Sequence, residues 1–393
     1  MTWGALTGAA LGGAGPASSV ARARAVAPGI EYSEFDISGA HGVTRAHLLT
    51  VDLRNPHVRV GLLHAGVVAA RATVSQLADA QHAVAGVNGD FFDISEAQHP
   101  GVEVTGSAVG PAVADGHALK AAVPRGQRFG PPLPSDASTE DVLGVGTDRT
   151  ARLDRLSLTG SVSAPQVRFP LRGLNQYALP QNSVGAYTSA WGSVSRLRAV
   201  CGADGDRGAP CSRNTYEVTV RGGRVVATSS TPGRGSIAPG TTVLLGREAG
   251  ARQLRGLLLG RTVQVRERLV AESSGVPYVF AIGGFPVLRH GAPVGGLDGS
   301  ASAVRTAVGI EKGGHRLLIL ALDGARAYRR GLTVAELAVA LRGLGAVDGF
   351  NLDGGGSSTM VTRSPGAGSV TVRNHPSTGA ERAVPEGIGV FSR

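Results

Sequence analysis

Ten residues constrain this chain more than any others: Asn351-Leu352-Asp353-Gly354-Gly355-Gly356-Ser357-Ser358-Thr359-Met360. An apolar run, Gly349-Phe350-Asn351-Leu352, delivers an aspartate to a point where three glycines follow in a row. Each glycine costs a helix or strand interior about 0.5–1 kcal/mol relative to alanine, so the run marks a turn. Glycines also let a backbone approach a ligand closely. Successive bare N–H groups predict an anion-binding nest here, with hydroxyls added by Ser357, Ser358 and Thr359. The bland alternative is an ordinary glycine turn, in a chain with 59 glycines among 393 residues. Neither the phosphate-binding loop of nucleotide hydrolases nor the GxGxxG dinucleotide fingerprint fits the segment. A carboxylate beside an anion cradle reads as a chemical site.

Hydrophobic residues make up 42% of the chain and charged residues 17%, which describes a globular protein and excludes a disordered one. No window approaches the roughly 18 uninterrupted apolar residues of a membrane span. The formal net charge is +10, yet Lys120 and Lys312 are the only lysines. The arginines are scattered, without dense clusters or interleaved aromatics, so no nucleic-acid partner is expected. Residues 1–27 are small, apolar and Ala-rich, and Ala23-Arg24-Ala25 and Ala25-Val26-Ala27 resemble signal-peptidase sites. They read as a signal peptide or disordered N-terminus, although the usual positive n-region is missing. Cys201 and Cys211 bracket a polar loop suited to a local disulfide, and two cysteines are too few for a zinc site. Together these features predict a secreted protein.

Residues 30–66 alternate apolar and polar residues and predict a hairpin around Asn55-Pro56. Thr73 caps an expected short helix over 73–82, which leads into a strand ending at Asn88-Gly89-Asp90-Phe91-Phe92-Asp93. The region from about 105 to 275 is rich in Pro, Gly, Ser and Arg and predicts a β-rich insertion, with Gly222-Gly223 as a hairpin turn. In the last third, Val279–Ile282 and Arg316–Leu322 read as buried strands. Thr333 and Glu336 form a capping box for a helix whose apolar face is Leu337, Leu341 and Leu344, ending at Gly345. Strand, helix and strand then place Asp323 and Asp353 at carboxyl ends of strands, where open sheets bind ligands. The fold class expected is α+β: a mixed, β-rich sheet core with packed helices, formed by residues 28–393, with core blocks at 84–93 and 279–391.

Five blocks, taken together, resemble the phosphodiester glycosidase family. They are Asn88-Gly89-Asp90-Phe91-Phe92; Gly283-Gly284-Phe285-Pro286-Val287-Leu288; Arg305-Thr306-Ala307-Val308-Gly309; Leu322-Asp323-Gly324 through Gly331–Ala338; and Asn351 to Met360. A weaker sixth runs from Asn374-His375-Pro376 to Glu381-Arg382-Ala383-Val384. Their order and rough spacing match the family, while the middle of the chain hardly does. Asp90 stands where the family usually has a second glycine, and Ala325-Arg326 where it usually has Arg-Gln.

The resemblance implies a hydrolase that cleaves sugar-1-phosphate diesters, with a phosphorylated glycan or polysaccharide as substrate. A sugar joined to phosphate at its anomeric carbon already carries a good leaving group. The site then needs a carboxylate to activate water or attack carbon, and donors for the phosphate. Asp353 is the expected base or nucleophile, with Asp323 second; the bland reading of Asp323 is a residue of an Asp-Gly turn. Arg305, Thr306 and Arg382 are the expected phosphate ligands, with Gly354, Gly355, Gly356, Ser357 and Ser358 as the cradle. Asn88 is expected to meet sugar hydroxyls, Asn351 to bind substrate, Asp90 to add a second carboxylate, and Phe91 and Gly284 to line the site. At least one of Phe91 and Phe92 is expected in the core instead. No cofactor is called for. A calcium ion between Asp90 and Asp93 fits the ligand type, but no spacing demands a metal. Two rival functions share these residues: a glycosidase acting on non-phosphorylated cell-wall glycans, and a glycan-binding protein without turnover.

Overall fold

The computed structural model describes residues 23–393. Most of the signal-peptide expectation therefore lies outside the described residues; of its last part, Arg24–Ala27 forms an edge strand on Ile30–Gly39. The body is built of sheets. Four are present among the described residues, of eight, seven, five and five strands. Only three α-helices accompany them, Val74–Ala80, Ala249–Arg255 and Val334–Gly343. Packed helices are thus a smaller part of the architecture than the sequence suggests. The reason is length: each helix has ten residues or fewer and covers a few strands only.

The eight-stranded sheet holds the strand–helix–strand unit of the last third. Its central order is Gly42–Asp52, Arg316–Leu322, Thr306–Glu311, Ala346–Asn351 and Phe285–Arg289, each antiparallel to its neighbour. Arg316–Leu322 and Ala346–Asn351 consequently run parallel, with Thr306–Glu311 inserted between them. The Val334–Gly343 helix makes that crossover. Its Thr333–Glu336 capping box forms as expected, and it buries Val334, Leu337, Ala338 and Leu341. Because directions alternate, the last residues of the two parallel strands meet the first residues of their neighbours. Leu322 N donates to Arg305 O, and Leu352 N to Thr306 O.

A five-stranded sheet packs against this one. It runs Val370–Val372, Met360–Arg363, Ala85–Asn88, Glu386–Ser392 and Val58–His64. Leu49, Val308, Ile319 and Phe350 of the large sheet share one apolar core with Leu62, Val87, Ile388 and Val390 of the small one. Burial of each such side chain contributes roughly 1.5–3 kcal/mol, so this seam fixes the register of both sheets. Asn88, Met360 and Glu386 lie at the same end of the small sheet, opposite one another. The two sheets therefore present Asp323, Asp353, Asn88 and Glu386 at one end of the sandwich.

The expected hairpin around Asn55-Pro56 does not form. Gly42–Asp52 pairs with Ile30–Gly39 through a turn at Ala40-His41, while Val58–His64 crosses to the small sheet and pairs with Glu386–Ser392. Alternating residues in both segments satisfy either pairing, so the pattern alone does not choose the partner. The middle region is β-rich as read, and Gly222-Gly223 makes the expected turn at positive φ. Its strands are stitched to the core: Tyr278–Gly283 pairs with Asp141–Gly146 and Ala112–Ala114. The Cys201–Cys211 disulfide is present. It closes a loop of ten residues' separation, so Cys201→Ser with Cys211→Ser is expected to lower unfolding stability by about 2–3 kcal/mol. Urea unfolding of the double variant checks this.

Candidate functional site

Asp353 follows the end of Ala346–Asn351 and is anchored through its backbone. Its N–H donates to Gly89 O at 2.9 Å, and Asn88 Nδ2 donates to its carbonyl at 2.7 Å. Asn88 Oδ1 in turn accepts from Thr306 Oγ1 (2.9 Å) and Thr359 N (3.1 Å). Thr306 Oγ1 lies 3.0 Å from the Ser358 hydroxyl. Asn88, Thr306 and Ser358 are all fully buried. Three blocks distant in sequence thus lock into one brace that fixes the Asp353 backbone. Asn88, expected to meet a sugar, and Thr306, expected to meet a phosphate, act instead inside the protein.

The glycines divide the work of the turn. A side chain on Gly354 would strike Val304 O, and one on Gly356 would strike the Arg382 guanidinium. Gly355 has φ +58° and open space around it. The anticipated nest is largely self-satisfied. Gly354 N donates to Asp353 Oδ1, Gly355 N to Val304 O, Ser357 N to Gly354 O, Ser358 N to Gly355 O and Thr359 N to Asn88 Oδ1. Among the described residues, Gly356 N–H is the one amide of the triple glycine without a protein acceptor. The cationic part of the site comes from Arg382, half-buried, whose Nη1 donates to Ser357 Oγ at 3.2 Å. Glu381 ties its loop down by accepting from Ser75 N and Oγ at the start of the Val74–Ala80 helix.

Burial pushes the Asp353 carboxyl up to about 6, opposed by the Ser357 hydroxyl, the Gly354 N–H and Arg382, and reinforced by Asp90. A carboxylate poised there is half-ionised near pH 6 and mostly ionised at neutrality, which suits a general base. Because the Arg382 guanidinium packs against the turn where Gly356 has no side chain, Gly356→Ala should displace it. The expected result is a raised KM at nearly unchanged melting temperature, matching Arg382→Gln.

Asp323 is placed differently from a free carboxylate. It is buried, and its Oδ2 accepts from His47 Nε2 (3.0 Å), His375 Nδ1 (2.9 Å) and His375 N (3.2 Å), while Oδ1 accepts from Ala325 N (2.7 Å). Burial alone would raise its pKa, but these donors outweigh it and hold the carboxyl well below the usual range. A carboxylate so saturated is a poor base or nucleophile, which corrects its expected place as second candidate for that role.

Other predicted residues are structural in their contacts. Arg305 is buried, with Nε on Leu332 O (3.0 Å) and Nη2 on Ala301 O (2.7 Å). Phe91 is buried and stacks on Phe285 at 5.8 Å, and Phe92 sits in a separate apolar cluster with Leu63 and Val361. Gly284 lets the chain pass the Asn351 carbonyl, which a side chain there would meet at 2.5 Å. Asn351 is fully buried, and neither end of its amide has a hydrogen-bond partner among the described residues.

Asp90 is buried with Oδ1 on Phe91 N (2.7 Å) and Oδ2 on Gly110 N (2.5 Å). Asp93 Oδ2 accepts from Thr105 N and Oγ1. Both Asp90 oxygens are thus occupied by protein donors, whereas Asp93 Oδ1 is buried without a partner among the described residues. Among the described residues no group of three or more His, Cys, Asp or Glu side chains is arranged to hold a metal ion.

Sequence reading missed four residues here. Lys120 and Glu386 are buried beside Asp90, and burial drives the lysine down and the glutamate up. His47 and His375 flank Asp323. Two signals were available: Lys120 is one of two lysines in an arginine-rich chain, and His375 lies in the sixth block.

The family resemblance is met by comparison. Residues 214–391 match the family model for phosphodiester glycosidase. The match reaches into the middle region, further than the five blocks imply, and stops short of the Asn88 block. No curated protein matches the chain by sequence. Among solved structures, a hypothetical protein from Synechocystis has a TM-score of 0.72 at 20% identity, covering 97% of this chain and 64% of that one. This chain thus spans less than two thirds of that protein's length. A putative exported protein from Burkholderia pseudomallei K96243 has a TM-score of 0.67 at 23% identity, covering 90% and 75%. These two share the fold. The zebrafish N-acetylglucosamine-1-phosphodiester alpha-N-acetylglucosaminidase catalytic domain, auto-inhibited by its pro-peptide, has a TM-score of 0.46 at 16% identity, covering 96% and 88%.

Proposed function

We propose that this protein is a secreted glycosidase that hydrolyses the bond between a sugar's anomeric carbon and phosphate in an extracellular or cell-wall polysaccharide. The family match over residues 214–391 supports a hydrolase of the glycosidase type. The observation that carries the finer reading is the pairing of Asp353, pushed up to about 6 by burial, with Arg382 across the Ser357 hydroxyl. One group activates water and the other receives the phosphate, and the Asn88–Thr306–Ser358 brace keeps the first in place. The disulfide supports export, since such bonds persist in oxidising compartments. No helix among the described residues is long and apolar enough to cross a membrane.

The reaction so written is a displacement at carbon. Asp353 takes a proton from water, the water oxygen bonds to the anomeric carbon, and the bond to the phosphate oxygen breaks with its electron pair leaving on phosphate. Arg382 and the Gly356 N–H stabilise the charge that develops there. The test is sugar release by the purified protein from a panel of sugar-1-phosphate diesters and matching plain glycosides, with and without chelator. Release from the diesters alone is expected. Release from plain glycosides alone would replace this reading with an ordinary glycosidase, and release from neither would leave a binding protein.

A further inference from the structure

Beyond Asp353 the same end of the sandwich carries a second ionisable assembly, which the proposed reaction does not yet use. His375 is 75% exposed, yet its Nδ1 is pinned at 2.9 Å to a carboxylate that is 2% exposed. A carboxylate only accepts, so Nδ1 must carry the proton. That fixes the tautomer and leaves Nε2 as the reactive nitrogen. No described residue bonds Nε2. Asp323 is itself immobilised by His47 Nε2, which likewise must donate, and His47 Nδ1 lies 2.7 Å from the Tyr32 hydroxyl. An exposed imidazole oriented by a buried carboxylate is the arrangement that holds a histidine in one tautomer and orientation for proton transfer.

The loop carrying His375 also carries the phosphate-side arginine. Asn374 fastens its start, with Oδ1 accepting from Met360 N and Nδ2 donating to Ser358 O (2.8 Å each). Gly324 N holds His375 O at 2.8 Å. The loop then passes over the glycine turn, where Thr378 and Arg382 crowd Gly356, before Glu381 ties it to the helix start. His375 and Arg382 therefore stand at the two ends of one strap that runs past the glycine turn.

We infer that His375, as an imidazolium with a solvent-derived proton on Nε2, is the acid of this site, giving that proton to the departing oxygen, with Asp323 as its positioning residue. This rests on the hydrolytic reading above. As the anomeric carbon–oxygen bond breaks, its electron pair goes to the leaving phosphate oxygen, which takes the His375 proton. Asp353 holds the proton removed from water, and solvent exchange resets both groups. The ionisable neighbours of His375 are Asp323, then His47, with Tyr32 and Glu34 behind it and Arg373 over the Tyr32 ring.

Leaving-group dependence tests the assignment. His375→Gln and His375→Ala would be compared with the parent protein on sugar-1-phosphate diesters and on glycosides of 2,4-dinitrophenol, whose leaving group is more acidic than a phosphate monoester and needs no proton. The expected result is a loss of about 100-fold or more in kcat on the diesters, with little loss on the dinitrophenyl glycosides. The basic limb of the pH profile should disappear while the acidic limb set by Asp353 stays. Added imidazole should restore part of the turnover of His375→Ala, and Asp323→Asn should show the same leaving-group bias. An equal loss on every substrate without imidazole rescue would make the strap merely structural and overturn the assignment. Unchanged kinetics would also overturn it while leaving the hydrolytic reading intact. A parent protein inactive on every diester and glycoside would remove both.

Discussion

Asp353→Asn is expected to abolish turnover and, above pH 6, to make the protein more stable. The loss should be on the order of 10²–10⁴-fold, the range for removing a general base. The stability gain follows from linkage. Burial raises the carboxyl from 3.8 to about 6, so the folded state holds this proton more tightly than the unfolded chain does. Stability is fully present below the unfolded value and is lost as pH rises through about 6. The difference corresponds to about 3 kcal/mol at 1.36 kcal/mol per pH unit, lowered to roughly 2 kcal/mol because the residue is partly exposed. Asparagine keeps an acceptor for Gly354 N–H and carries no charge, so it escapes that penalty. Melting temperatures of the two proteins should coincide near pH 4 and separate by pH 8, with the variant higher. Equal stability at both pH values would show that Asp353 is not a strained, buried acid, and the reading of it as a tuned base would go.

The turn was legible because its composition has few folded uses: an aspartate and three glycines after an apolar run leave little but a site at a strand end. The capping boxes at Thr73 and Thr333 were equally local, and both helices form where they were expected. What failed was pairing across distance. The Gly42–Asp52 and Val58–His64 strands alternate well enough to pair with each other, yet the core seam sends them to different sheets. The division of roles among site residues failed for the same reason. Asn88, Thr306 and Ser358 are polar and belong to family blocks, but only their mutual bonds reveal a brace. Asp323 reads in the sequence as a second catalytic carboxylate, whereas in the fold two histidines, 276 and 52 residues away in sequence, occupy one of its oxygens.

Lys120→Met should be the most destabilising single change near the site, by about 3–5 kcal/mol at pH 8. Lys120 is 1% exposed and donates to Gly110 O and, at 3.0 Å, to Ala121 O. Its charge is the one that offsets both Asp90 and Glu386, which are buried and repel each other. Methionine fills much the same volume but leaves two carboxyls facing each other in a low-dielectric interior. Burial already raises both, so each is more stable protonated in the folded state. The deficit should therefore be largest at high pH and shrink toward pH 5 as protons are taken up. Adding Glu386→Gln should recover most of the lost stability at pH 8 by removing one of the two charges. A uniform deficit at pH 5 and pH 8, unrelieved by Glu386→Gln, would mean that lysine packing rather than charge is at stake. The consequence reaches catalysis, because Asp90 already pushes the Asp353 carboxyl upward. With Lys120 gone, a less compensated Asp90 pushes harder, and the acidic limb of the pH–rate profile should move to higher pH.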